Sequence, residues 1–384
     1  MKKKVLFVAT VAKGHIQVFH LPFMKAFQEA GYEVHIAARN DFENPDDCRL
    51  PYCDVYYDLP FERMPLRLKN FECYRFLKTL IERERFEIVH CHTPVAAMCA
   101  RLACRVARKR GTKVFYTAHG FHFYKGAPLK NWLLYYPVEK ICSRWTDVLI
   151  TINQEDYALA QRKMKAKEVV YVPGVGVDLT KFGNATVDRA AKRRELGVPE
   201  DATLLLSVGE LNANKNHETV IRAIAGLAKN ENVYYAIAGR GDWYERLQRC
   251  ANTLGLDDRV KLLGFRRDVA ELYAVADVFV FPSFREGLSL SVMEAMGSGL
   301  PCVLSRIRGN VDLVDENGGV HFDPYSVDDC RKALASLLEG GADKRRELGA
   351  YNAEKVKAFG LEPVLEQMTA LYRSVGDSVG IRKG

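Results

Sequence analysis

Two carboxylates, Glu286 and Glu294, stand with seven residues between them in the stretch 281–299, Phe-Pro-Ser-Phe-Arg-Glu-Gly-Leu-Ser-Leu-Ser-Val-Met-Glu-Ala-Met-Gly-Ser-Gly. The preceding Asp-Val-Phe-Val-Phe-Pro, 277–282, reads as a short apolar strand stopped by proline. Gly287 permits a tight turn. From about Ser289, the residues Leu290, Val292, Met293, Ala295 and Met296 favour a helix that ends at Gly297 and Gly299. Backbone N–H groups at such a helix start attract anions. Glu286 would stand beside that anion site and Glu294 about one turn further in. A diphosphate on the helix start, with carboxylates accepting from hydroxyls on either side, describes a sugar nucleotide. The plainer alternative is a corner with one solvated Glu and one first-turn Glu. The apolar surroundings of Glu294 count against it, because an unpaired buried carboxylate is costly.

Further candidates fall at other strand ends. Lys215 follows an apolar run, 203–208, and the polar turn Asn212-Ala213-Asn214, just before a predicted helix. Its ammonium is a point charge at the carboxyl edge of a parallel sheet, where a phosphate would lie. Gly239 and Gly241 flank Arg240 in a tight turn, and Phe265-Arg266 follows another short strand. In the first half, Gly14 between Lys13 and His15 would let the backbone approach a ligand closely. His119 ends the run 113–118, with His122 close behind. His90 and His92, two apart on one strand, share a face and suggest a metal pair, but no carboxylate accompanies them. They are read as a strand end lining a cleft. There is no Asp-x-Asp to clamp a metal on a diphosphate, so the expected strategy is electrostatic and metal-free.

These residues need two frameworks. Strands are predicted near 4–10, 32–38, 86–91, 112–118, 146–152 and 168–172, with helical stretches between, which implies a parallel sheet covered on both faces. Pro-Gly-Val-Gly-Val-Asp at 173–178 reads as a linker. The alternation restarts near 203–209, 233–239, 260–263, 277–282, 301–304 and 319–322. The helix after the first of these shows an apolar face of Val220, Ile221, Ile224, Leu227 and Ala228. Two doubly wound α/β domains, 1–173 and 178–360, are expected, each with its ligand edge at the strand carboxyl ends and facing the other across a cleft. The tail 376–384 is expected to be loose.

A chain of 384 residues with 48% hydrophobic and 27% charged residues suits two soluble domains. No apolar run reaches a membrane span, and Met-Lys-Lys-Lys leads into a strand rather than a signal peptide. The ten cysteines include no Cys-x-x-Cys pair, so no zinc ribbon or disulfide framework is expected. The net charge of +8 is uneven. Residues 1–174 carry 28 Lys and Arg against 18 Asp and Glu, whereas 175–384 carry 28 against 30. Without a basic helix interleaved with aromatics, nucleic acid is not the expected partner. An anionic membrane surface or phosphorylated lipid is. The stretches 56–85 and 130–144 mix basic and aromatic residues and could form an acceptor entrance or an interfacial helix, although Pro137 interrupts the second.

Taken together, Glu286-x7-Glu294, Ala12-Lys-Gly-His15, Ile88-Val-His-Cys-His-Thr93, Thr117-Ala-His-Gly-Phe-His122, Ser207-Val-Gly209, Lys215-Asn-His217 and Ala238-Gly-Arg-Gly241 resemble the retaining glycosyltransferases of family 4 over nearly the whole chain. The stretch 118–157 is most similar to bacterial members that build exopolysaccharide and capsule repeats on a lipid carrier. The resemblance implies the GT-B fold, with a last helix, 361–375, that crosses back to the first domain. It implies catalytic roles for His119, Lys215 and Glu286. His119 would contact the donor sugar beside the anomeric carbon, Lys215 would meet the diphosphate, and Glu286 would hold sugar hydroxyls. Donor binding would fall to Gly14, Asn212, Gly239, Arg240, Phe265, Arg266, Gly287, Leu288, Ser289, Leu290 and Glu294. The backbone near Phe265 would meet the base edge, and Glu294 the ribose. Lys13, His15, His92 and His122 would face the acceptor. The family commonly has an Arg where this chain has Glu210, which weakens the donor clamp unless Asn212, Asn214, Arg240 or a first-domain residue compensates.

The implied activity is transfer from a nucleotide sugar, UDP-linked, to a lipid-linked saccharide. It would need no cofactor or metal and would occur in the cytoplasm at the inner face of the membrane. A front-face route, in which the departing phosphate takes the acceptor's proton, would explain why no catalytic base stands out. A sugar-nucleotide epimerase of the same architecture and a noncatalytic partner subunit are the alternatives. A dehydrogenase is disfavoured, since no Gly-x-Gly-x-x-Gly follows the first strand.

Overall fold

The computed structural model describes residues 2–65, 67–183, 186–227 and 232–375. It divides into two compact units. One runs to Val175 and resumes at Glu362; the other is Gly176–Leu361. Gly174 and Gly176, on either side of the boundary, have φ of 84° and 81°, where a Cβ would be strained.

In the first unit, β1 (Lys4–Val11), β2 (Glu33–Arg39), β3 (Val55–Asp58), β4 (Ile88–His92), β5 (Lys113–Ala118), β6 (Val148–Thr151) and β7 (Glu168–Tyr171) form one parallel sheet. Its order is β3-β2-β1-β4-β5-β6-β7. The strands are nearly continuous apolar runs because helices cover both faces. Sequence patterning missed β3, a four-residue edge strand inside the stretch read as an acceptor entrance. Much of the rest of that stretch is the helix Leu68–Glu84, which buries Cys73, Leu77, Leu80 and Ile81 in the core. The helix Leu129–Cys142 continues through Pro137. On the opposite face of the sheet, the last helix, Leu361–Val375, places Val364, Met368 and Tyr372 against Phe7, Phe27 and Phe115.

The second unit repeats the plan with β8 (Thr203–Val208), β9 (Val233–Ala238), β10 (Val260–Gly264), β11 (Val278–Phe281), β12 (Cys302–Ser305) and β13 (Gly319–Phe322). All are parallel, in the order β10-β9-β8-β11-β12-β13. The helix His217–Leu227 turns Val220, Ile221 and Ile224 into the core, as its periodicity predicts; Ala228 and the tail 376–384 lie outside the described residues. At the amino edge, the buried Arg193 guanidinium bonds the Asp277 carboxylate (2.6 Å) and the carbonyls of Ala202 (2.7 Å) and Val275 (3.1 Å). Asp277 in turn accepts the Leu204 N–H at 2.7 Å, so one side chain locks the entries of β8 and β11 together.

Candidate active site

The order of the second sheet reverses between β8 and β11, and open α/β sheets bind ligands at the carboxyl ends of such a switch point. Beyond β8, the Asn212 side chain accepts the Lys215 N–H (3.1 Å) and caps the short turn Ala213–Lys215. Asn216 follows at φ 54°, and its amide donates to the carbonyls of Pro282 (3.1 Å) and Pro324 (3.0 Å). His217 is buried against the Tyr235 hydroxyl (3.1 Å), and burial pushes its pKa down to about 3. These two side chains anchor the turn. Lys215 is left to act: its Nζ lies 2.8 Å from Glu286 Oε1, with both side chains less than a fifth exposed. The loop after β11 is stitched to the same turn, since Asn214 donates to the Arg285 carbonyl (2.9 Å) and accepts the Phe284 N–H (2.8 Å).

A cavity of about 570 Å³ opens beside this pair, at the ends of β8, β9 and β10. Among the predicted donor residues, Asn212, Gly239, Arg240, Phe265 and Arg266 line it. Gly239 must be glycine, since a Cβ there would stand 1.8 Å from the Gly209 carbonyl oxygen. The exposed Phe265 ring carries the Arg240 guanidinium at 4.8 Å from its centre, leaving an aromatic wall and a cation at the rim. Arg266 spends its charge inside the unit, on Asp268 (2.8 Å) and Glu195 (2.6 Å). Glu210 also lines the cavity and accepts from the Asn212 amide (2.7 Å).

The helix Leu290–Gly297 starts where predicted, capped by the Ser289 hydroxyl, which accepts the Val292 N–H. Gly287 turns the chain into it, while Leu288 and Leu290 pack on the core. Glu294 is largely buried, and burial pushes its pKa up; one of its oxygens accepts from the Tyr273 hydroxyl (3.0 Å). The predicted donor residues of this unit therefore form two groups, the cavity set and the set on the loop and helix after β11, joined by the Lys215–Glu286 pair.

In the first unit the switch point lies between β1 and β4. The six residues Ala12–Gln17 form a π-helical turn, a rare element concentrated at functional sites. The N–H groups of Lys13 and Gly14, expected to face a ligand, instead donate to the Asp41 carboxylate (2.6 and 3.0 Å). Thr93, at φ 60°, closes β4 and accepts the Thr10 N–H (3.0 Å), binding the ends of β4 and β1. His92 and His119 meet there, with Nδ1 3.3 Å from Nε2, and His15 stands 4.6 Å from His119 between ring centres. Sequence reading missed His20, which stacks on His92 at 3.7 Å, and Asp41. Burial pushes the pKa of His119 down to about 4 and holds His15, His20 and His92 well below the usual imidazole range. His90 and His92 share a face, 4.1 Å between ring centres, but His90 does not line a cleft: it is buried and bonds Thr117 (2.8 Å) and Tyr372 (2.7 Å). His122 packs against Tyr135, 4.5 Å between ring centres, and stands outside the histidine group.

Two family models cover most of the chain: Glycosyltransferase Family 4 matches residues 21–181, and Glycosyl transferases group 1 matches 188–355. A Bacillus subtilis (strain 168) protein named as a glycosyltransferase, EpsD, is 43% identical over 98% of both chains. The chain belongs to glycosyltransferase family 4. An Escherichia coli UDP-Gal:alpha-D-GlcNAc-diphosphoundecaprenol alpha-1,3-galactosyltransferase is 29% identical over 79% of this chain and 80% of its own. Anabaena HepE, solved with UDP and glucose, superposes with a TM-score of 0.79 at 18% identity, covering 97% of this chain and all of that one. The lipopolysaccharide glycosyltransferase WaaG gives 0.72 at 18%, over 96% and 99%. The fold is GT-B, two Rossmann-like parallel-sheet units.

Proposed function

We propose that this glycosyltransferase moves a sugar from a UDP-linked donor to a lipid-linked saccharide in exopolysaccharide or capsule assembly, with retention at the anomeric carbon. The observation that carries the reading is the Lys215–Glu286 pair at the switch point, beside a cavity of about 570 Å³. The Escherichia coli relative, whose name specifies a UDP-sugar and a diphosphoundecaprenol-linked acceptor, supports the substrate classes. In this account Phe265 and the neighbouring backbone take the base, Glu294 accepts from the ribose, and the helix start near Ser289 faces the diphosphate. As the sugar–phosphate bond breaks, Lys215 leaves Glu286 to meet the developing charge, with no metal in that step. The acceptor oxygen bonds the anomeric carbon from the same face and gives its proton to the departing phosphate. Glu286, released, holds the hydroxyls of the sugar, and the family resemblance gives His119, neutral at pH 7, the contact beside the anomeric carbon. Arg240 and Asn212 offset the Glu210 carboxylate.

Glu286→Gln keeps the shape and removes the charge. Loss of a hydrogen bond to a charged group is worth about 1.5–3 kcal/mol, so transfer should fall roughly ten- to a hundred-fold. UDP binding, measured calorimetrically, should hold or tighten as Lys215 loses its partner. Near-wild-type turnover would remove Glu286 from the site.

A lipid-linked acceptor requires a surface on which to meet it, and we place that surface on the first unit, at the cytoplasmic face of the membrane. Leu68 (83% exposed), Phe71 and Met64 stand among the exposed Arg63, Arg67, Lys69 and Arg75, and Leu129 and Leu133 beside Lys130. The two helices carrying most of these residues both pack on the helix Pro94–Ala103. Among the described residues no helix is long and apolar enough to cross a membrane. Each Lys or Arg near an anionic surface contributes about 1 kcal/mol. The protein should co-sediment with acidic vesicles and dissociate as the Debye length falls from roughly 10 Å at 0.1 M salt to 3 Å at 1 M. Equal binding to neutral vesicles, or none to either, would defeat the docking.

A further inference from the structure

Among the described residues of the second unit, Tyr325 is the most exposed large apolar side chain, at 82%. One face of its ring lies on Phe284, with ring centres 5.0 Å apart and planes at 29°. The other is left to water. Nothing local calls for an aromatic there: Asp323 and Pro324 make the turn, and φ at Tyr325 is not in the left-handed region. The pair is nevertheless held in place. The Tyr325 N–H donates to the Asp323 carboxylate (2.9 Å), the Asp323 N–H donates to the Asp329 carboxylate (2.7 Å), and the Ser326 hydroxyl caps the helix Val327–Glu339 that follows. The Asn216 amide clamps the carbonyls of Pro282 and Pro324, one on each aromatic loop, and the Phe284 N–H donates to the Asn214 carbonyl (2.8 Å). Both rings are therefore tied to the turn that carries Lys215.

Their place along the sheet edge says what they face. In the order β10-β9-β8-β11-β12-β13, Phe265 follows β10, Lys215 and Glu286 follow β8 and β11, and Tyr325 follows β13. With neighbouring strands about 4.8 Å apart, the end of β10 lies roughly 14 Å to one side of the end of β11, and the end of β13 roughly 10 Å to the other. On the reading above, the base takes the Phe265 side and the anomeric carbon comes to Lys215 and Glu286. The edge beyond β11 is then where a saccharide can continue past the reacting carbon. We propose that Phe284 and Tyr325 form a platform on which a sugar ring of the acceptor saccharide stacks. The inference rests on the transferase reading. A pyranose presents a face of C–H bonds polarised by its oxygens, and the negative face of an aromatic ring attracts them as it attracts the positive edge of another ring. The sugar hydroxyls stay at the rim, in water or on the Tyr325 hydroxyl. A tyrosine already fixed by its neighbours loses little freedom on binding, which favours such an exposed contact. The acceptor-facing residues expected from the sequence, Lys13, His15, His92 and His122, belong to the first unit, so this contact is the second unit's own.

Stacking of this kind is worth about two- to tenfold in affinity. Saturation-transfer NMR on the UDP-loaded full-length protein, with methyl pyranosides of the common hexoses and N-acetylhexosamines as probes, should show ring C–H protons saturated by the wild type. Tyr325→Ala should weaken that contact about two- to tenfold and Tyr325→Trp restore it, while the calorimetric affinity for UDP holds in both. With lipid-linked saccharides as substrates, the KM for the acceptor should rise by the same factor in Tyr325→Ala, and the KM for the UDP-sugar should not. No saturation of any pyranoside, or an acceptor KM unchanged in Tyr325→Ala, would overturn the platform. So would an equal loss of binding to vesicles that carry no saccharide, which would make Tyr325 a membrane contact. Failure of the transferase reading looks different: no lipid-linked saccharide gains mass with the wild type, while a pyranoside contact that depends on Tyr325 leaves the sugar site standing.

Discussion

Replacing Lys215 by Ala should lower turnover by about 100- to 1,000-fold, the range found when a single donor aimed at developing oxyanion charge is removed. The variant loses the ammonium and also leaves the Glu286 carboxylate, 2.8 Å away in the wild type, without its partner where the phosphate must sit. UDP should therefore bind more weakly, unlike the outcome for Glu286→Gln. Adding Glu286→Gln to Lys215→Ala should restore part of that affinity by removing the repulsion. Steady-state turnover together with calorimetric titration of UDP in the three variants reads this coupling directly. Turnover within threefold of wild type would mean that the diphosphate is neutralised elsewhere.

Arg193→Ala should do the reverse, destroying stability while leaving the chemistry of folded molecules intact. Arg193 is 1% exposed, and its loss takes from Asp277 the buried one of its two arginine partners, Arg189 remaining at 2.5 Å, and removes the guanidinium donor from the carbonyls of Ala202 and Val275 at the amino edge of the sheet, remote from the carboxyl-edge site. Removing one partner of a buried ion pair costs about 3–5 kcal/mol, a large share of the 5–15 kcal/mol of a typical domain. At about 2–4 °C per kcal/mol, the unfolding midpoint should fall by roughly 6–20 °C. A loss under about 1 kcal/mol by denaturant titration would show that the pair adds little beyond its neighbours.

The contrast between these two arginine- and lysine-centred pairs shows what the sequence can carry. Strands buried on both faces declare themselves as apolar runs, so twelve of the thirteen strands were legible, as were the glycine-rich boundary and the helix start at Ser289. Strand β3 was not, because four residues at a sheet edge have too little pattern to exceed the aromatic, basic sequence around them. The positions of Glu286, Lys215 and His119 followed from motifs at strand ends. Their partners did not. Lys215 meets a residue 71 positions away, Lys13 and Gly14 are capped by Asp41 rather than open, and His90 turns to Tyr372, 282 positions on. His20 escaped notice because it lies beyond the motif at 12–15, past the end of the π-helical turn, and meets His92 only through the tertiary fold. Arg193 and Arg101 escaped as well, being charged residues that are fully buried against every compositional expectation.

Following both products at once decides whether the protein transfers a sugar. The purified protein would be incubated with a panel of UDP-sugars and lipid-linked saccharides, with free UDP measured by a coupled assay and the lipid by mass spectrometry. A retaining transferase should release UDP only when the acceptor is present, leave a lipid heavier by one sugar residue for each UDP released, and give an α-linked product from an α-linked donor. UDP release without the acceptor, or no mass gain on any lipid in the panel, would contradict it and point instead to epimerisation or to a noncatalytic role.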